Sequence, residues 1–141
     1  MAKLGALASW GDKYAESLTA ATTLTLADNG KMFFLDGSAA NIITLPAVAG
    51  SAGCKYTFIL TATGDAPTIY ASAGEDTIAG IVYTLPDNAA CQIDTDASCD
   101  TITFVNTASV GSRVTLRSNG TLWYVEGFTG IADKLTLTTA A

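Results

Sequence analysis

The dipeptide Asn119-Gly120 constrains this chain more than any other feature. It is a preferred filling of a two-residue type I′ turn, because both positions accept positive φ. It stands inside Arg113-Val-Thr-Leu-Arg-Ser-Asn-Gly-Thr-Leu-Trp-Tyr-Val-Glu126. A two-residue loop would set the register. Ser118 is then expected opposite Thr121, Arg117 opposite Leu122, Leu116 opposite Trp123, Thr115 opposite Tyr124, Val114 opposite Val125 and Arg113 opposite Glu126. Side chains alternate along a strand, so Val114, Leu116, Trp123 and Val125 share an apolar face that belongs on a core. Thr115, Tyr124 and an Arg113–Glu126 pair take the other face.

The rest of the chain repeats this grammar. Lys31–Leu35, Asn41–Leu45, Tyr56–Thr61, Thr68–Tyr70, Thr77–Leu85, Ala90–Asp94, Thr101–Asn106 and Lys134–Thr138 read as strands, and Leu24-Thr-Leu26 alternates. Turn signals such as Ala27-Asp-Asn-Gly30, Asp36-Gly-Ser38, Gly64-Asp-Ala-Pro67 and Pro86-Asp-Asn88 separate them, and Gly80 marks a bulge within its strand. Nothing after residue 23 has helical periodicity. The expected class is all-β, a β-sandwich or small β-barrel of about ten short antiparallel strands.

Residues 1–23 differ. Leu4, Leu7, Trp10, Tyr14 and Leu18 fall three or four apart, a helical spacing that Gly5 and Gly11 weaken. This segment is expected to be an extended or partly helical N-terminal arm, with Leu4, Leu7, Trp10 and Tyr14 as its partner-binding side chains. The division is then 1–23 arm, 24–130 β domain and 131–141 C-terminal strand or tail, the last free to pair with a sheet edge.

Composition narrows the function. Charged residues make up 14% of the 141, against about 25% in ordinary domains, and mean hydropathy is +0.34. No run reaches the roughly 18 apolar residues that cross a bilayer, so either the core is generous or part of the surface is covered by other subunits, and the second reading is preferred. The net charge is −6, and the seven basic residues are scattered singly, which argues against nucleic acid. There is no His, so no Ser-His or Cys-His pairing exists for nucleophilic catalysis. Phosphate-binding glycine fingerprints are missing too. Cys54, Cys91 and Cys99 show no metal spacing and fit buried thiols in a reduced compartment, although a Cys91–Cys99 bridge is conceivable. Asp94, Asp96 and Asp100 lack the Gly and closing Glu of an EF-hand and read as a solvated loop, with a weak Ca2+ site as the alternative. Tyr56, Phe58, Tyr70, Tyr83, Trp123 and Tyr124 are candidates for a glycan-binding surface, but strand aromatics more often serve a core or an interface. The apolar run Leu4–Ala8 is too short for the core of an export signal, so none is expected.

The order Thr23-Leu-Thr-Leu-Ala-Asp-Asn-Gly-Lys-Met-Phe-Phe-Leu-Asp36, Ile43-Thr-Leu-Pro46, Lys55-Tyr-Thr-Phe-Ile59, Ile102-Thr-Phe-Val105 and the closing Gly111–Gly127 resembles small β domains of tailed-bacteriophage virion proteins. These are capsid decoration (cement) proteins, head fibres and tail-fibre modules. The resemblance covers about residues 23–130. It implies a non-enzymatic protein of the virion surface, made in the host cytoplasm and usually a trimer. It offers no catalytic residue to carry over, and no cofactor, resident metal, nucleic acid, membrane or small-molecule substrate is expected. The single short domain without a shaft, and the separate arm, favour a decoration protein bound to the major capsid protein. In such proteins a terminal arm often joins the shell's own strands. The alternative is a receptor- or glycan-binding head- or tail-fibre domain.

Overall fold

The structure is a computed structural model that describes residues 14–37, 41–72, 75, 77–84, 92–131 and 133–139, with backbone alone for 92–98. Its strands are β1 (Ala15–Leu18), β2 (Thr22–Thr23), β3 (Met32–Leu35), β4 (Ile42–Thr44), β5 (Lys55–Leu60), β6 (Thr68–Tyr70), β7 (Ile78–Thr84), β8 (Gln92–Cys99), β9 (Thr101–Phe104), β10 (Arg113–Ser118), β11 (Trp123–Thr129) and β12 (Leu135–Thr138). They form a seven-stranded sheet, β1-β3-β5-β10-β11-β7-β8, and a five-stranded sheet, β12-β9-β6-β4-β2. The fold is all-β, and neither sheet closes into a barrel.

Alternation builds the core. Tyr56, Phe58 and Leu60 of β5, Val114 and Leu116 of β10, and Trp123 and Val125 of β11 are buried from one sheet. Ile43, Ile69, Ile102, Phe104, Leu135 and Leu137 are buried from the other, and all join one cluster. Full burial of a side chain of this size contributes roughly 1.5–3 kcal/mol. Phe33 stacks on Phe58 at 5.3 Å between centroids, and Tyr56 lies 5.4 Å from Trp123. Burial pushes the Tyr56 phenol well above its ordinary pKa, and its hydroxyl donates to the Thr25 carbonyl at 2.9 Å.

Four expectations are corrected. First, the pairing is mixed rather than antiparallel: β1, β3 and β5 run parallel in one sheet, β2, β4 and β6 run parallel in the other, and β7 runs parallel to β11. Through β6 the chain changes sheet with every strand. Each parallel crossover from β1 to β6 is therefore made by a strand of the opposite sheet, where other folds use a helix.

Second, the hairpin slips by two residues. Ser118 pairs with Trp123, Leu116 with Val125, Thr115 with Glu126 and Arg113 with Phe128. Asn119 makes the longer loop by local capping: its Oδ1 accepts from the Thr121 and Leu122 amides, both at 2.8 Å. A slip of two keeps side-chain parity, so the inner face is the expected one, while the Arg113–Glu126 pair does not form. Gly120 keeps its positive φ, +90°, and an added Cβ would lie 3.2 Å from the Ala52 Cβ. Gly120→Val is expected to cost about 1–2 kcal/mol; a thermal melt matching the parent would refute this.

Third, Leu24–Leu26 is not a strand. Leu24 is buried, and Leu26–Asp28 is a 3-10 turn in which the Asp28 carboxylate accepts from the Thr25 amide and hydroxyl, both at 2.9 Å. Fourth, Asp94 and Asp96 stand in β8, paired with Val82 and Gly80, rather than in a loop, and the Asp100 carboxylate accepts from the Thr101 hydroxyl at 2.6 Å. Among the described residues no group of three or more His, Cys, Asp or Glu is placed to hold a metal.

Other readings stand. The Gly80 strand carries a register shift between Ile78 and Gly80. β12 docks on its own five-stranded sheet beside β9 and buries Leu135 and Leu137. Cys54 is a buried free thiol, the buried Cys99 thiol donates to the Ile78 carbonyl at 3.3 Å, and Cys91 lies outside the described residues.

Candidate functional site

The two sheets present different outer faces. On the five-stranded sheet the outward positions are largely threonines: Thr68, Thr103 and Thr136 share one cross-strand row with the exposed Ile42, and Thr44, Tyr70, the buried Thr101 and Thr138 make the next. β-Branched polar side chains suit a solvated pleat. On the seven-stranded sheet, register aligns Ser17, Phe34, Ile59, Arg113, Phe128 and Tyr83 across six strands. A second row runs Ala15, Met32, Thr57, Thr115, Glu126 and Ile81. Lys55, Arg117 and Tyr124 form a third. Met32, Ile81, Tyr124 and Phe128 are each at least 37% exposed. No described element covers this face. It is a largely apolar, aromatic surface carrying one acid, Glu126, and Lys55, Arg113 and Arg117, three of the chain's seven basic residues.

One edge of the same sheet is β1, with Ala15, Glu16 and Ser17 exposed. An edge strand offers unpaired backbone donors and acceptors to an added strand. This edge is held firmly. The Lys31 ammonium bonds to Glu16 at 2.9 Å and to Asp28 at 2.7 Å, and the Asn41 amide donates to the Leu18 carbonyl at 3.2 Å. Partial burial pushes the Asp28 carboxyl up, but hydrogen bonds from Lys31 and Thr25 outweigh it and hold the pKa below the usual value. The Lys31 ammonium is correspondingly raised, chiefly by its bond to Asp28.

The sequence-based candidates are thus sorted. Leu4, Leu7 and Trp10 lie outside the described residues, whereas Tyr14 is 44% exposed immediately before β1. Ala15–Leu18 and Thr22–Thr23, assigned to the arm by the helical spacing of its apolar side chains, are strands of the body, because Leu18 is buried and pairs with Leu35 of β3. Of the six aromatics, Tyr56, Phe58 and Trp123 are core, Tyr70 projects from the five-stranded sheet, and Tyr83 and Tyr124 reach the outer face. Met32, Phe34, Ile59 and Phe128 were missed as surface residues. Each sits at the outward position of its own strand, but only the pairing of distant strands makes them one patch.

At one end of this face is a groove of about 340 Å³ between β7, β11 and the loop before β10. Its walls include Tyr83, Val110, Arg113 and Phe128. Comparison with protein families, with curated proteins and with solved structures found no match to this chain.

Proposed function

We propose that this chain is a non-enzymatic structural protein of a tailed-phage virion, a capsid decoration protein that binds the assembled shell and stabilises contacts between capsomers. The observation that carries the reading is the outer face of the seven-stranded sheet, which no described element covers and which is bordered by β1, the strand into which the N-terminal segment leads. Six strand spacings of about 4.8 Å make such a face about 29 Å wide. With strands of about five residues, the projected area is on the order of 500 Å², near the scale of one side of a standard interface. The partners are the major capsid protein and further copies of this chain, arranged as a trimer. β1 supplies backbone pairing to an added strand, and Leu4, Leu7, Trp10 and Tyr14 supply apolar anchors. Because only the assembled shell offers this site, binding draws the equilibrium toward assembly. Symmetry repeats each modest contact around the particle.

The test is removal of residues 1–13. The truncation stops before β1, because Leu18 is in the core and its carbonyl accepts from Asn41. The shortened protein is expected to melt within a few degrees of the parent and to lose most of its occupancy on capsids lacking the native protein. Full occupancy would overturn the anchoring role.

A further inference from the structure

The groove at the end of the outer face has its own chemistry. Tyr83 and Phe128 stack at 5.1 Å between centroids with 17° between planes, and the Arg113 guanidinium lies over Phe128 at 5.0 Å from the ring centre. The stack fixes a planar cation that would otherwise sample many rotamers. Arg113 has no carboxylate partner among the described residues, although acidic side chains outnumber basic ones thirteen to seven. The Ser109 hydroxyl, on the loop before β10, makes no hydrogen bond among the described residues. By contrast, the Ser112 hydroxyl donates to the Thr129 hydroxyl at 3.0 Å. Val110, 61% exposed, and the stacked rings supply apolar wall.

We infer that this groove receives a carboxylate carried on a peptide segment of a partner protein, with apolar side chains on either side of it. A stacked guanidinium offers two parallel N–H donors to a carboxylate, and the Ser109 hydroxyl adds a third. The apolar wall takes the neighbouring side chains. A saccharide fits less well: it brings many hydroxyls, whereas the Ser112 and Thr129 hydroxyls are buried and bonded to one another. The binding chemistry stands independently of the virion assignment.

The probes are the acetylated, amidated pentapeptide Ala-Leu-Asp-Leu-Ala and its asparagine counterpart, titrated into the isotope-labelled full chain by NMR. The aspartyl peptide is expected to shift the Ser109, Val110, Arg113 and Phe128 amides and to bind about tenfold or more tightly than the asparaginyl one. Arg113→Gln should erase that preference, while Arg113→Lys, which keeps the charge but not the stacked fork, should retain only part of it. Gly130→Ala provides a second variant without touching the cation. Its new Cβ would sit 3.1 Å from Ser109 Oγ and narrow the groove, so binding should weaken while the fold, checked by the amide spectrum, is kept. Equal affinity for the two peptides, no shifts at the groove, or tighter binding of a galacturonate disaccharide than of the aspartyl peptide would each overturn the inference.

Discussion

Trp123→Ala is expected to lower stability by about 3–5 kcal/mol, the usual cost of removing a large aromatic from a core. Trp123 is fully buried, lies against Tyr56 and begins β11, which pairs with both β10 and β7. Its indole N–H has no hydrogen-bond partner among the described residues, so truncation forfeits packing rather than a polar contact. Trp123→Phe should therefore recover most of the loss. For a chain near 150 residues, 1 kcal/mol moves the midpoint by about 2–4 °C, so the alanine variant should melt roughly 10 °C lower. A midpoint within a degree or two of the parent would show that Trp123 does not organise the core.

Gly80→Ala is the second large effect. Gly80 follows the irregularity in β7 and is directly paired with Val125 of β11. A Cβ there would overlap the Val125 carbonyl oxygen and lie 2.6 Å from its Cγ1 and 2.7 Å from its amide nitrogen. β7 is held on its other side by β8, so it cannot back away without losing pairing. A cost above about 2 kcal/mol is expected, because overpacking against fixed backbone relaxes poorly. Gly50→Ala is the control. An added Cβ at Gly50 meets nothing within 4 Å, and only the positive φ, +84°, penalises it. Urea unfolding should rank Gly80→Ala as much the weaker of the two; the opposite order would mean that β7 and β11 are not packed this closely.

The asymmetry between these residues bears on what a reader of the sequence can see. Gly120 was identifiable because its role is local: the turn and its positive φ follow from the Asn-Gly pair. The bulge at Gly80 was legible, but its contact with Val125, forty-five positions away, was not. The hairpin register failed for a similar reason. An Asn-Gly pair serves a two-residue turn by propensity, whereas here the Asn119 side chain caps two further amides and lengthens the loop. The candidate surface was the least legible of all. Arg113 stands opposite Phe128, and Phe128 beside Tyr83, because β10, β11 and β7 are neighbours, and nothing near any of the three residues states that order.

Alternation along each strand, the placement of glycine and proline, and the absence of histidine by themselves determined that this chain is all-β, which side chains enter its core, and which catalytic pairings it lacks. Only the tertiary structure decided that β1 to β6 wind between two sheets in parallel pairs, and that the described residues leave an aromatic, basic face uncovered. The physical reason is that side-chain alternation is written residue by residue, whereas a backbone edge accepts a neighbour running either way. The choice of neighbour is made by the packing of residues far apart in the chain.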